Sequence, residues 1–200
     1  MKQMKAITVY TLVTLLFVWG GLSVPTVEAE TAAAGTYKID PEHSFVLFSV
    51  SHLGISISAG RFNDFEGNII LAPGKNSKVE LTVKTASVDT YIEKRDKHLR
   101  GPDFLDTKQF PIMRFVSSKV EYNAAGEPVK LTGELFLHGK TNTVSFTVKP
   151  IGAGKDPWGG YRAGYQANTV IKRSDFGMKY MLGGVGDEID ITLNIEAIKQ

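Results

Sequence analysis

A short charged segment carries the residue types that could do acid–base chemistry. Ile92, Arg95, Asp96 and Leu99 recur at the i, i+3, i+4 and i+7 spacing that brings residues to one face of a helix. One arginine and one aspartate therefore lie between two apolar anchors, on the face expected to dock against the rest of the protein. Two interpretations stay open: a half-buried structural ion pair, or a polar clamp at the mouth of a cavity.

The sequence also marks the two ends of this helix. Thr90 followed by Glu93 matches a capping box, which satisfies free backbone N–H groups at a helix N-terminus. Gly101 and Pro102 predict a left-handed cap and a stop. We therefore predict one helix that starts after Thr90 and ends before Gly101.

Four histidines are the remaining candidates for metal binding or proton transfer: His43, His52, His98 and His138. None of them are spaced i, i+2 or i, i+4, as ligands on one element often are. The sequence therefore predicts no metal site, although distant residues could still converge. Asp96 and His98 could form an acid–base couple, but no nucleophile or oxyanion hole accompanies them, which disfavours a hydrolase.

Composition excludes several other classes of protein. The 200-residue sequence has no cysteine, no G-x-S-x-G elbow and no H-E-x-x-H motif. Its net charge of +2 gives no electrostatic reason to expect nucleic acid as a partner.

Residues 1–29 are interpreted as a secretory signal peptide. Lys2 and Lys5 precede a charge-free, mostly apolar run, and residues 27–29 (VEA) resemble a cleavage site. The run is short for a membrane span of roughly 20 residues, but an uncleaved anchor stays open as an alternative.

The remainder of the sequence predicts one exported domain. Residues 30–36 are small and polar and predict a disordered lead-in, which leaves residues 37–200 as the folded domain. An exported chain without cysteine must be held by packing alone, since it can form no disulfide. We expect it in the periplasm, or secreted.

Alternation of apolar and polar residues dominates from residue 37 onward and predicts β-strands. In the first clear strand, Val46, Phe48 and Val50 are placed on the inner face together with His52. The cleanest alternation is at the C-terminus, in residues 189–197. A bulge is expected near Arg114, and a tight turn at residues 139–140.

About seven to nine strands joined mostly by short turns predict an antiparallel meander. Each strand has one apolar and one polar face, a pattern that fits both a two-sheet sandwich and a sheet closed into a barrel. An eight-stranded barrel has an interior just wide enough to be filled by side chains or to hold one slim ligand. The alternation alone does not decide between these architectures.

Several motifs in register resemble the YceI-like family. They are residues 37–44 (YKIDPEHS), 48–54 (FSVSHLG), 60–67 (GRFNDFEG), 92–99 (IEKRDKHL), 103–106 (DFLD), 110–115 (FPIMRF), 133–139 (GELFLHG) and 172–177 (KRSDFG). The resemblance runs from about residue 36 to the C-terminus.

The resemblance implies an all-β fold: an extended, antiparallel, lipocalin-like barrel of about eight strands with one short helix inserted between strands. It implies a polyisoprenoid or similar long-chain lipid in the interior, no other cofactor, no established catalysis and a homodimer. The residues carried over as the lipid-binding lining are Val46, Phe48, Val50, Phe62, Phe65, Leu81, Val83, Phe115, Leu135, Leu137 and Phe146. The polar candidates near the barrel ends are His52, Arg95, Asp96, His98 and Arg173.

The leading hypothesis is a non-enzymatic protein that sequesters or carries an isoprenoid lipid, such as a quinone or prenyl carrier, across an aqueous compartment. A membrane or a membrane protein would act as a transient donor. Two alternatives stay open. One is an enzyme acting on such a lipid with Asp96, His98 or His52 as acid–base groups. The other is a stress-related module that works by protein–protein contact through an exposed apolar patch.

Overall fold

In the computed structural model, which describes residues 30–74 and 76–200, antiparallel strands follow one another along the chain. The strands are β1 (Gly35–Ile39), β2 (Phe45–His52), β3 (Ser56–Phe62), β4 (Phe65–Leu71), β5 (Lys78–Lys84), β6 (Val88–Asp89), β7 (Ile112–Tyr122), β8 (Pro128–Leu137), β9 (Lys140–Lys155), β10 (Tyr161–Lys172) and β11 (Val185–Lys199). The α-helix of the described residues, α1 (Glu93–Leu99), lies between β6 and β7. The signal-peptide prediction for residues 1–29 concerns the part of the chain outside this description.

The strands close into an eight-stranded antiparallel barrel. Six of the strands combine into three interrupted barrel strands. β1 and β2 form the first, since both pair with β11; β4 and β3 form the second, since β4 pairs with β1 and β3 with β2; β5 and β6 form the third, since β5 pairs with β4 and β6 with β3. β5 also pairs with β7, and each strand from β7 to β10 pairs with the next one along the chain. Closure by β1 on β11 confirms the barrel and excludes the sandwich.

Period-two alternation places the apolar side chains inside. Strand β4 is the clearest case, since Phe65, Gly67, Ile69 and Leu71 are buried while the residues between them are exposed. On β2, Val46 and Val50 are buried and Phe48 is partly buried, whereas Phe45 is exposed. The inner faces merge into one apolar core that runs through the barrel.

Two local predictions are displaced along the chain. The irregularity in β7 lies between Ser117 and Lys119 rather than near Arg114. The turn between β8 and β9 is formed by His138 and Gly139, not by residues 139–140, and both have positive φ (50° and 74°). Two left-handed residues in a two-residue hairpin match a type I′ turn, in which glycine is favoured.

The predicted helix exists, but the predicted caps are wrong. The residue before α1 is Ile92, and no side chain caps the helix N-terminus. Tyr91 has a positive φ of 64°, which turns the chain and leaves Thr90 bonded to Asp96 instead. At the other end, Arg100 closes the helix in a right-handed conformation, and Gly101 has no positive φ. Ile92, predicted as an apolar anchor, is 52% exposed.

The predicted lead-in of residues 30–36 is too long. Gly35 and Thr36 belong to β1, where they pair with Leu71 and Ile70, and Ala32 packs against the core. Among the described residues, no helix has the length and hydropathy to cross a membrane.

Candidate functional site

The barrel interior holds two apolar cavities, one toward each end. This arrangement can be followed along β10, where Ala167 lines one cavity and Ile171 the other. On β8, Leu131 and Leu137 are divided between the two cavities in the same way. The interior is therefore elongated along the strands.

The first cavity lies beside α1 and is called the helix-end cavity. Its volume is about 120 Å³, and its walls include Leu99 and Phe104 from the helical segment. Four of the eleven residues predicted to bind lipid line it: Phe48, Val50, Phe62 and Leu137. The rings of Phe48 and Phe62 pack with their centroids 5.5 Å apart.

The second cavity lies at the opposite end and is called the Tyr165 cavity. Its volume is about 70 Å³. Three predicted residues line it: Leu81, Phe115 and Phe146. The rings of Phe115 and Phe146 meet edge to face, with centroids 5.3 Å apart. A Cβ at Gly133 would clash with the backbone carbonyl oxygen of Val116 and lie 2.7 Å from the Phe115 ring, so a glycine is required at this position.

The other four predicted residues, Val46, Phe65, Val83 and Leu135, are buried but line neither cavity. On β5 and β8 they lie next to cavity-lining positions, since Val83 follows Leu81, and Leu135 precedes Leu137. These side chains fill the middle of the barrel and separate the two cavities.

Arg173 is the one predicted polar candidate that lines a cavity. It is 3% exposed and belongs to the wall of the helix-end cavity. Its three guanidinium nitrogens donate to the carbonyl oxygens of Gly186, Met178 and Val185 at 2.8–2.9 Å. Burial lowers the pKa of Arg173, and nearby Asp187 opposes that shift. The contacts identify Arg173 as a brace for the loop before β11.

Arg95 and Asp96 do not form the predicted ion pair, nor do they line either cavity. Both bond to Thr90 instead. The buried carboxylate of Asp96 accepts hydrogen bonds from the Thr90 N–H at 2.9 Å and from its hydroxyl. Arg95 donates to the Thr90 hydroxyl and carbonyl oxygens, each at 2.7 Å. This cluster holds α1 to the turn that follows β6.

The two predicted histidines lie outside the interior. His98 is exposed, bonds to Asp103 at 2.8 Å, and packs edge to face against Phe104 and Tyr180. His52 is exposed at the end of β2, so its predicted place on the inner face is wrong. The alternation does not predict the exposure of His52, because the last two residues of β2 extend beyond the core. Asp96, with its bonds to Thr90, is not coupled to His98.

One residue that the sequence analysis missed is Tyr165, on β10. Its side chain is 8% exposed, and within the described chain its hydroxyl has no hydrogen-bonding partner. Burial raises the pKa of Tyr165 above its usual value, as do the neighbouring tyrosines. The alternation of Ala163, Tyr165 and Ala167 against polar neighbours could have identified this inner face.

A second missed feature is a polar cluster around Arg162 at the same end. Its guanidinium bonds to Asp40 and Glu196 at 2.6 Å and to Asp156 at 2.8 Å. Asp40, His43 and Glu196 place potential metal-ligand atoms within 4.8 Å of one another. Arg162 already neutralises two of these carboxylates, so the cluster is a structural ion-pair network.

Fold and interior together define the class: a lipocalin-like, eight-stranded barrel with an elongated apolar interior. The chain belongs to the YceI-like family, because the YceI-like domain model matches residues 37–197.

Individual relatives agree with this membership. Protein YceI of Escherichia coli O17:K52:H18 is 44% identical over 177 residues, which cover 86% of this chain and 91% of that protein. The crystal structure of the Campylobacter jejuni YCEI protein is 31% identical, with a TM-score of 0.66, over 75% of this chain and 90% of that one. A polyisoprenoid binding domain from Saccharophagus degradans has a TM-score of 0.64 over 84% of this chain and 100% of that one. At 15% identity, this last likeness shows the fold alone.

Proposed function

We propose that this protein binds a polyisoprenoid or similar long-chain lipid inside the barrel. The observation that carries the proposal is the elongated apolar interior with a cavity toward each end. The helix-end cavity and the Tyr165 cavity belong to one continuous core, and Arg173 is the single charged residue among the described residues that form their walls. A slim hydrocarbon is the ligand class that such walls favour.

Burial of hydrocarbon supplies the binding free energy. Each CH₂ group removed from water contributes about 0.8 kcal/mol, so a chain of about fifteen carbons reaches micromolar affinity or better after the costs of immobilisation. No charged contact is needed for that affinity.

Lipid binding requires side chains in the middle of the barrel to move. The cavities measure about 70 and 120 Å³, whereas small-molecule sites usually measure about 300–1,000 Å³. Val46, Phe65, Val83 and Leu135 separate the two cavities, so a long chain must displace them.

The proposed role is carriage or sequestration rather than catalysis. The protein would act as a dimer in the periplasm, or after secretion, and would take its lipid from a membrane or a membrane protein in a transient contact. The Saccharophagus degradans domain that shares this fold is described as polyisoprenoid-binding. That description supports the proposal by analogy of fold.

A paired substitution tests where the lipid binds. Phe48→Asp places a carboxylate in the wall of the helix-end cavity, whereas Glu134→Ala alters the exposed face of β8. In titrations of delipidated protein with a prenyl lipid, Phe48→Asp should lose at least tenfold in affinity, because a buried charge opposes hydrocarbon. Glu134→Ala should bind as the unmodified protein does. Equal affinities for the two variants, both folded by circular dichroism, would place the lipid outside the barrel.

A further inference from the structure

Apolar side chains protrude into solvent at the end of the barrel that holds the helix-end cavity. Two segments carry them: the β2–β3 hairpin, residues 51–60, and the segment that leads into β11, residues 176–186. We call the exposed set the apolar tip; it consists of Leu53, Ile55, Ile57, Met181 and Leu182. Ile55 is 83% exposed, more than any other large apolar residue of the described chain. An apolar patch of this kind usually marks a surface that binds a partner.

The two segments are in contact and form one surface. The Leu53 N–H donates a hydrogen bond to the carbonyl oxygen of Gly184 at 2.7 Å. A Cβ at Gly184 would lie 3.4 Å from the Leu53 side chain and 2.9 Å from that of Met181. The apolar side chains of the hairpin and of the second segment therefore meet at Gly184, rather than lying scattered over the protein.

The exposure of the apolar tip is a property of its backbone. On β3 the usual alternation is inverted, since Ser58 lies opposite Val50 on the inner face and Ile57 lies on the outer face. Leu53 and Met181 both have a positive φ (54° and 49°), a conformation in which glycine or asparagine would be less strained. Serine inside, isoleucine outside and left-handed aliphatic residues do not favour folding, so we attribute them to a contact.

The apolar tip adjoins the helix-end cavity. Met178 and Val185 lie in the same segment as Met181 and line this cavity. The ring of Tyr180 packs against that of Phe104, another wall residue, with centroids 5.4 Å apart. The segment therefore forms part of the cavity wall with its inner side chains and presents apolar side chains to solvent with its outer ones.

The charges of the two segments fit a phospholipid surface. Residues 51–60 and 176–186 contain no aspartate or glutamate, and Lys179 is their only residue of fixed charge. The first carboxylate after them, Asp187, accepts hydrogen bonds from the N–H and hydroxyl of Ser174. The phosphate groups of a membrane would meet no carboxylate on these segments, and the exposed Lys179 would attract them.

We propose that the apolar tip inserts into the surface of a phospholipid bilayer. Leu53, Ile55, Ile57, Met181 and Leu182 then enter the boundary between head groups and acyl chains, and Lys179 lies at the level of the phosphates. This contact places the helix-end cavity against the membrane, so that a lipid can pass between the two without crossing water. The place of contact follows from the exposed residues, whereas its use in lipid transfer rests on the proposed function.

Flotation of the full chain with vesicles of phosphatidylethanolamine and phosphatidylglycerol tests the contact. The tip variant combines Ile55→Ser with Ile57→Ser. The control combines Ile151→Ser with Val170→Ser, which removes two exposed apolar side chains from β9 and β10. The tip variant should bind the vesicles at least tenfold more weakly than the unmodified protein, because two aliphatic side chains no longer leave water. The control should bind as the unmodified protein does. All changes are on the surface, and circular dichroism should show both variants folded.

Transfer of a labelled prenyl lipid separates membrane contact from lipid binding. The tip variant should take this lipid from vesicles about tenfold more slowly than the unmodified protein, yet bind it equally tightly when it is supplied in solution. Vesicle binding without uptake of any prenyl lipid would support the contact and contradict the proposed function.

Two results would overturn the inference. One is equal vesicle binding by the tip variant and the control. The other is an unmodified protein that does not bind vesicles but sediments as a dimer, together with a tip variant that sediments as a monomer. A second copy of the chain, rather than a membrane, would then cover the apolar tip.

Discussion

Arg162 is the centre of a polar cluster at the end of the barrel that holds the Tyr165 cavity. It bonds to Asp40, Asp156 and Glu196, and its ring-stacking contact with Trp158 places the guanidinium 5.5 Å from that ring centroid. The bond from Arg162 holds the pKa of Asp156 below its usual value, aided by the N–H groups of Gly160 and Trp158. Burial alone would raise the pKa of Asp40, but hydrogen bonds from Arg162 and His43 outweigh it and lower the value.

These shifts predict how stability depends on pH. A carboxyl whose pKa is lowered by folding stabilises the folded state above its ordinary pKa, and this contribution is lost as the pH falls through the lowered value. Arg162→Gln should therefore lower the melting temperature at pH 7, and the difference from the unmodified protein should shrink toward pH 3. Thermal melts across this range measure it. Lys130→Gln, which removes a looser surface pair at 3.8 Å, serves as the control and should show a small difference at both pH values.

Ala167 allows the Tyr165 cavity to be filled without altering the barrel surface. Ala167→Leu adds apolar volume next to a cavity of about 70 Å³, so the lipid-free protein should keep or gain thermal stability. The same change should weaken prenyl-lipid binding at least tenfold, because the added side chain competes for the space. Asn168→Leu makes an identical side chain on the exposed face of β10 and should leave binding unchanged. Equal binding by both variants would contradict a lipid in this cavity.

At the scale of single elements, α1 is held by Asp96 and Thr90 rather than by a capping box. Asp96→Ala leaves the buried N–H and hydroxyl of Thr90 without their acceptor, so it should cost about 1–3 kcal/mol in the free energy of unfolding. Glu93→Ala should cost little, since Glu93 is exposed and caps nothing. Urea denaturation of the two variants measures both. A larger loss in the free energy of unfolding for Glu93→Ala than for Asp96→Ala would contradict this assignment and support the capping box.

The strands were predictable because one periodicity encodes both their conformation and their inner face. Leu131, Leu135 and Leu137 could be placed inside from the sequence of β8 alone. The helix caps could not, because the left-handed turn at Tyr91 decides which group Thr90 contacts. The alternation did not predict that the sheet closes into a barrel either, since the same pattern fits a sandwich. The family resemblance favoured the barrel.

The alternation also predicted part of the candidate site, namely the apolar lining of the barrel. All eleven lining candidates lie in the interior, ten of them buried and Phe48 partly buried, but their role in lipid binding stays a prediction. The polar candidates were carried over from the family resemblance as residues near the barrel ends, and Tyr165 is not among them. The network of Asp40, Arg162 and Glu196 joins residues 122 positions apart, a convergence that only the closed barrel brings about.

For the whole molecule, the separated cavities predict a link between lipid and stability. Leu135→Ala removes part of the packing between them and should cost about 2–5 kcal/mol in the free energy of unfolding of the lipid-free protein. Lipid in the joined space should recover part of that loss, since a ligand that binds only the folded state stabilises it. Denaturation with and without a prenyl lipid measures the recovery. A deficit that lipid leaves unchanged would show that the chain does not pass Leu135.

Identification of a lipid that co-purifies with the protein tests the central claim most directly. The full chain is expressed in an exporting bacterial host, purified without detergent, extracted with organic solvent and analysed by mass spectrometry, with Ala167→Leu treated in parallel. We predict a prenyl or similar long-chain lipid in the unmodified protein and much less of it in Ala167→Leu. Protein that is reproducibly lipid-free, and that also fails to take up prenyl lipids offered to it, would contradict a barrel built to hold a hydrocarbon chain.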